Sequence, residues 1–234
     1  MQARFAMAVS PKTIGRLSLY RRTMHKMLAE GREYVHSHEI AGACSVTAAQ
    51  VRRDLMPIGF AGSSERGYGI PGLLQSISNL LDDPEEQRVA LVGVGNLGRA
   101  LLSYFRGRHA RLKIAAAFDV DPAKVGRVIA GTRTYPMQQI EAVFSKQGIG
   151  IAILTVPAAE AEAVATRVVQ AGARALLNFT QVHLHLPRSV FVESIDFGVS
   201  LEKVAYFRRR GGRNREGGNT ASQGRSTTEA RRFA

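Results

Sequence analysis

The run Gly93-Val94-Gly95-Asn96-Leu97-Gly98 places glycine at three positions with separate physical jobs. The first permits a tight turn, the second lets a pyrophosphate approach the backbone, and the third lets a helix pack closely on a sheet. An apolar run over 88–94 precedes it, and the helical pattern of residues 100–105 follows. In that strand–turn–helix setting the new helix turns its open backbone N–H groups toward a phosphate. Asp119 lies 21 residues beyond Gly98 and closes a second apolar run, 112–119. A carboxylate there accepts from both ribose hydroxyls and repels a 2′-phosphate, so the spacing predicts NAD(H) rather than NADP(H). Three further apolar runs, 150–154, 175–178 and 190–193, predict strands. Thr155-Val156-Pro157 follows the first and Asn178-Phe179-Thr180 closes the second. Both ends should open on the crevice at the carboxyl edge of a parallel sheet, where the nicotinamide half would lie.

A second group of residues suits DNA. Thr47 and Gln50 match a capping box, and Val46 and Val51 stand where a hydrophobic staple would close. Ala48, Val51 and Leu55 then face the core, which leaves Ala49, Gln50, Arg52 and Arg53 toward solvent. Arg52 or Arg53 can fork onto guanine O6 and N7, and Gln50 can pair with an adenine edge. Lys12 and Arg16, near the start of the first helix, are placed to hold phosphates. The stretch 58–70 reads as two short apolar edges around a Gly/Ser tip, a two-stranded wing. Arg66 would reach a groove or phosphate from its tip, and Tyr68 would pack over a sugar.

These residues need elements to carry them. Ser10 and Pro11 start a first helix whose apolar face is Leu17, Tyr20, Met24, Met27 and Leu28. Ser37 is expected to cap a short second helix with Ile40 and Ala43 inward, and Thr47 starts the third. A helix pair followed by an exposed Gln/Arg face is the layout of a helix-turn-helix. The charged stretch 82–86 marks a linker, after which apolar runs and helical patterns alternate, as in a parallel sheet covered on both faces. The predicted fold is α/β: a winged helix-turn-helix over 10–81, a Rossmann unit over 87–195 and a C-terminal helix over 196–207. A basic tail, 208–234, is too poor in apolar residues to order itself.

Composition narrows the function. The chain has 234 residues and a net charge of +13, and most of that excess sits at its two ends, which favours a polyanionic partner. No apolar run approaches the length of a membrane span, and residues 1–10 show no signal peptide, so a cytoplasmic protein is expected. The single cysteine, Cys44, cannot form an internal disulfide, so a reducing compartment fits. No catalytic or metal-binding set is evident. His183 and His185 alternate along an extended stretch, and the Rossmann unit leaves little chain for a substrate domain. Sensing is therefore favoured over turnover. The alternatives are a small NAD-dependent oxidoreductase with an accessory domain, or a CoA-type nucleotide scaffold.

The sequence resembles the Rex family of redox-sensing transcriptional repressors. The resemblance runs over Arg16-Leu-Ser-Leu-Tyr20, Val46-Thr-Ala-Ala-Gln-Val-Arg-Arg-Asp54, Arg66-Gly-Tyr-Gly69 and the glycine run 93–98. It continues through Ala117-Phe-Asp-Val-Asp-Pro122, Leu154-Thr-Val-Pro157, Leu177-Asn-Phe179 and Ile195-Asp-Phe197. It implies a homodimer on palindromic double-stranded operator DNA that responds to NADH and NAD+. It also implies a C-terminal helix swapped onto the partner, which brings Asp196 and Phe197 near the partner's nicotinamide site. Tyr104 matches a tyrosine that changes its contact with that aspartate as redox state changes. The chain departs from some members at Asn96, where they carry an arginine that pairs with the swapped aspartate.

Overall fold

The computed structural model describes residues 9–60, 62, 63, 65–108 and 111–216. The chain divides into two compact units between Glu86 and Gln87.

The first unit opens with α1 (Pro11–Ala29), capped by Ser10, whose hydroxyl accepts from the Thr13 N–H. β1 (Tyr34–Val35), α2 (Ser37–Cys44) and α3 (Ala48–Leu55) follow, then β2 (Tyr68–Gly69) and α4 (Ile70–Leu81). Leu17, Tyr20 and Met24 of α1 meet Ile40, Val51, Leu55, Leu73 and Ile77 in one fully buried core. Leu28, expected on the inner face of α1, is exposed in the helix's last turn.

Several local expectations shift by a residue or a partner. His36, not Ser37, caps α2, because the Glu39 carboxylate reaches back to accept the His36 N–H at 2.7 Å. That register buries Ile40, Ala41 and Cys44 and leaves Ala43 exposed. Among the described residues the wing's two expected edges form no two-stranded ladder. Pro57 draws residues 56–58 into a 3-10 turn, and Gly59 follows at φ +67°, so no strand forms there. β2 pairs instead with β1, Tyr34 opposite Gly69 and Val35 opposite Tyr68. A Ser63–Gly67 bridge closes the tip. α4 follows directly. Its apolar residues Ile70, Leu73, Leu74 and Ile77 keep helical spacing and are all buried.

The second unit is a seven-stranded sheet. In chain order it runs β3 (Gln87–Val92), α5 (Asn96–Phe105), β4 (Leu112–Asp119), β5 (Val128–Ile129) and β6 (Thr132–Pro136). It continues with α6 (Ile140–Gln147), β7 (Ile149–Leu154), α7 (Ala161–Gln170), β8 (Ala175–Asn178), β9 (Phe191–Ser194) and α8 (Phe197–Glu216). Spatial order is β5-β6-β4-β3-β7-β8-β9, parallel except for the β5–β6 edge. Without β5 this is the doubly wound order whose direction reverses beside its first strand, here β3. Val89 to Val92 are all buried, as a central parallel strand requires. Phe118, Phe144, Ala152 and Val168 pack on one face, and Leu91, Leu102, Ala117 and Ile153 on the other.

α8 extends beyond the expected end at Phe207 to Glu216, nine residues into the stretch expected to lack order. Those residues include no proline and five arginines, and arginine is a good helix former. The rest of the expected tail, 217–234, lies outside the described residues.

Candidate nucleotide crevice and DNA-reading face

The glycine run leaves the carboxyl end of β3 at the point where strand order reverses. Gly93 has φ +97°, and a Cβ there would lie 2.7 Å from the Thr155 carbonyl oxygen. Gly98 is tighter still, since a Cβ would lie 2.1 Å from the Gly93 carbonyl oxygen. The second glycine of the run differs. A Cβ on Gly95 would meet nothing within 4 Å, and Gly95 caps α5 with no side chain. The first N–H groups of α5, at Asn96, Leu97 and Gly98, therefore begin beside open space, with the positive end of the helix dipole behind them. Such a helix start could cradle a diphosphate.

Asp119 ends β4 next to this loop and is 7% exposed. Its Oδ2 accepts from the Val94 N–H at 2.7 Å and from Lys124 Nζ at 3.2 Å, and its Oδ1 accepts from the Asp121 N–H at 2.9 Å. Burial pushes its pKa up, but the Asp121 and Val94 N–H groups and the Lys124 charge outweigh burial. The carboxyl sits below its ordinary range and stays ionised at neutral pH. Lys124 had no signal in the sequence beyond its place in an acid-rich turn. It also pairs with Asp121 at 3.5 Å.

The loops after β7 and β8, the candidate nicotinamide walls, carry their own internal bonds. The Thr155 hydroxyl faces the Gly93 and Val92 carbonyls at 2.7 and 3.1 Å, so its one hydrogen ties β7 to the glycine run. Val156 packs beside Gly93, and Pro157 is exposed. Asn178 is 1% exposed and its amide is spent within the protein. It donates to the Val182 carbonyl and Ser194 Oγ and accepts from Thr180 N–H and Oγ1. Asn178 thus shapes the loop after β8. Phe179 is half-buried, with its ring 5.9 Å from that of Phe197.

Asp196 starts α8, where its Oδ1 accepts from the Val199 N–H at 3.0 Å. Phe197, Leu201, Val204 and Phe207 of α8 are all more than half exposed in one protomer. Tyr104 on α5 is also exposed, and the Arg108 guanidinium lies 4.6 Å from its ring centre. No hydrogen bond joins Tyr104 to Asp196 within the chain among the described residues. His183 and His185 are both exposed, and no cluster of metal-binding side chains occurs among the described residues.

In the first unit α3 carries the candidate reading face. The Thr47 hydroxyl accepts the Gln50 N–H at 3.1 Å, which is half of the expected capping box. The other half is missing, because Gln50 turns its side chain along the helix to Asp54, at 2.9 Å. Arg52 and Arg53 are exposed; Arg52 reaches Ser37 Oγ and Arg53 reaches Gln50 Oε1, both at 3.1 Å. Lys12 and Arg66 are exposed as expected.

Two of the expected DNA contacts also have partners within the unit. Arg16 forks onto the buried Asp54, Nε to Oδ2 at 2.6 Å and Nη2 to Oδ1 at 2.7 Å, so it joins α1 to α3. The Tyr68 ring packs inward against Phe60, and a Cβ on Gly62 would lie 2.7 Å from it, so the ring anchors the wing. Asp54 escaped the sequence reading. Its one signal was an acid three residues after Val51, on the inner face of α3. Burial pushes its pKa up, but hydrogen bonds from Arg16, Gln50 and Tyr20 outweigh burial and the group is lowered. Cys44 is buried against Thr23 Oγ1, at 3.3 Å.

Comparison with known proteins follows the same division. A family described as "Putative DNA-binding protein N-terminus" matches residues 8–55, and one described as "CoA binding domain" matches residues 84–182. The redox-sensing transcriptional repressor Rex of Anoxybacillus flavithermus is 41% identical over 195 residues, which cover 83% of this chain and 92% of that protein. The protein of the same name from Roseiflexus is 39% identical over 197 residues, 84% of this chain and 90% of that one. Among solved structures, RSP, a Rex-family repressor, in complex with β-NAD+ and operator DNA has a TM-score of 0.79 at 27% identity, covering 92% of this chain and 98% of that chain. Its complex with β-NADH gives 0.79 at 28%, covering 89% and 98%.

Proposed function

The chain belongs to the Rex family of redox-sensing transcriptional repressors, and from that premise we propose that it grips palindromic operator DNA as a homodimer and releases it when NADH fills the crevice of its second unit. It is a regulator and not an enzyme. One observation carries the nucleotide half of the reading: the open cradle at Gly95 beside an Asp119 carboxylate held ionised by Val94, Asp121 and Lys124. The cradle fits a diphosphate, and the fixed negative charge fits an unphosphorylated ribose, so NADH and NAD+ are the ligands.

Gly93, Val94, Gly95, Asn96, Leu97 and Gly98 would hold the diphosphate and Asp119 the adenosine ribose. Thr155, Val156, Pro157 and Phe179 would wall the nicotinamide half, with the backbone after Asn178 rather than its amide. Tyr104, Asp196 and Phe197 would act across the dimer. The exposed apolar side of α8 supports this, since four large apolar side chains without cover favour a partner subunit. Residues 10–81 would carry DNA binding, with Gln50, Arg52 and Arg53 at base edges and Lys12 and Arg66 on phosphates. Thr47 caps the reading helix, while Arg16 and Tyr68 serve as its scaffold. No described helix is long and apolar enough to cross a membrane. The working compartment is the cytoplasm, where operator DNA lies. Redox sensing runs through the nucleotide, since Cys44 is a single buried thiol.

The test is a titration of a fluorescent palindromic duplex at fixed salt against NADH and against NAD+. NADH should weaken DNA binding by roughly 5–150-fold, the usual range of coupling between two sites, and DNA should weaken NADH binding by the same factor. NAD+ should compete with NADH while permitting the complex. Equal DNA affinity with and without saturating NADH would reject the proposal.

A further inference from the structure

The charged stretch 82–86 carries the chain from α4 to β3, and it is tied down at both ends. The apolar core of the first unit takes α4 as far as Leu81, which packs against it half-buried. Asp82 then leaves the helix in an extended conformation. It brings no apolar side chain to that core, so polar contacts fix it. Its N–H stays bonded to the Ser78 carbonyl at 2.9 Å. Its carboxylate is held by α1: Arg21 Nη1 donates to Asp82 Oδ1 at 2.6 Å, across 61 residues of sequence. Both side chains are 29% exposed, so water screens the pair only in part.

The residues that follow have few soft rotations. Pro84 has a fixed φ and restricts Asp83 before it. Asp83 Oδ1 accepts the Glu85 N–H at 3.0 Å, which closes a turn around the proline. At the far end the Gln87 N–H donates to the Arg111 carbonyl at 2.9 Å, and Gln87 enters β3 opposite Leu112. A flexible tether lets one unit reorient without biasing the other. A stiff strut anchored at both ends passes a rotation of β3 to α4 and, through Asp82 and Arg21, to α1. From α1 the Arg16–Asp54 fork carries it to α3. We propose that the Arg21–Asp82 pair is the coupling clamp of this repressor, by which nucleotide in the second unit biases the orientation of α3. Both are positioning residues that act through the linker. The inference rests on the chain being a repressor released by NADH.

The experiment uses the full-length protein and a fluorescent palindromic operator, read by anisotropy at fixed salt with and without saturating NADH. The ratio of the two operator affinities is the coupling factor, which should be roughly 5–150-fold for wild type. NADH affinity without DNA is read from the nucleotide's fluorescence. Arg21→Leu and Asp82→Leu each remove the pair. Each should cut the coupling factor to roughly twofold or less while NADH affinity stays at the wild-type value. The two variants change the charge of the first unit in opposite senses. A general effect on the field felt by DNA would shift their NADH-free operator affinities in opposite directions, whereas loss of the clamp lowers coupling in both.

Wild-type coupling in either variant, with native circular dichroism, would overturn the proposal. So would a loss of more than about tenfold in NADH-free operator affinity in both, because the pair would then serve the grip and not the coupling. Should the variants unfold, a short glycine–serine insertion between Asp83 and Pro84 decides, since it leaves the pair intact and frees the strut. That protein should still bind operator and NADH, yet couple them by roughly twofold or less. Wild-type coupling in it would overturn the proposal. A wild-type operator affinity that ignores NADH would count against the repressor reading itself, which separates the two.

Discussion

Replacing Gly98 by alanine should uncouple this protein from NADH while leaving its grip on the operator. The added methyl would lie 2.1 Å from the Gly93 carbonyl oxygen, and the obstacle is backbone, not the end of a flexible side chain. An ordinary carbon–oxygen contact is about 3.3–3.6 Å, so the start of α5 must retreat from the glycine turn by more than about 1 Å. Core overpacking of this kind costs about 1–3 kcal/mol, which the second unit can absorb while remaining folded. The cradle cannot absorb it. Displaced by an ångström, α5 loses at least one N–H bond to a charged phosphate, worth about 1.5–3 kcal/mol. NADH affinity should fall by roughly 10–150-fold. The first unit has its own core, so the variant should bind operator like wild type and stay bound at NADH concentrations that release wild type. Because the chain has no tryptophan, NADH binding can be followed by the nucleotide's own fluorescence without an indole background. Operator release is followed by anisotropy on the same samples. Wild-type NADH affinity in folded Gly98→Ala would refute the placement of the diphosphate.

Asp119→Ala should weaken NADH by about 10–100-fold through loss of charge-assisted bonds, and NADPH by less, since Lys124 would then face a 2′-phosphate unopposed; competition titrations with both nucleotides would show whether their ratio falls. Arg16→Ala should lower stability by about 3 kcal/mol, because it strands the buried Asp54 charge, and the urea midpoint should drop even without DNA. A purely DNA-contacting Arg16 would leave that midpoint unchanged. Burial, then the hydrogen bond to Asp54, raise the Tyr20 pKa above its ordinary value near 10. An acid held neutral in this way stabilises the fold fully below its unfolded pKa, and that contribution drains as pH rises above about 10. Alkaline denaturation curves of Tyr20→Phe should therefore lack part of the loss seen in wild type above pH ~10.

What the sequence determined by itself was local. The strand–turn–helix around Gly93 to Gly98 depends on glycine chemistry within six residues, and Asp119 ends β4 because the apolar run ends there. Ser10 and Thr47 cap their helices through the third residue onward, a reach that spacing alone reveals. α4 was not among the expected elements, although Ile70, Leu73, Leu74 and Ile77 do keep helical spacing. The tertiary structure decided which polar side chains remain free. Arg16 and Tyr20 lie 38 and 34 residues from Asp54, and only their convergence makes burial of that carboxylate tolerable. Asn178 likewise has the right type and place for a ligand contact, yet its amide is saturated by Val182, Thr180 and Ser194. β2 pairs with β1 from beyond two intervening helices, not with its own neighbour. Residue type fixes what a side chain can donate or accept, whereas its partner depends on which distant group is buried beside it. That is why the glycine cradle could be read from its letters, and the Gln50–Asp54 bond could not.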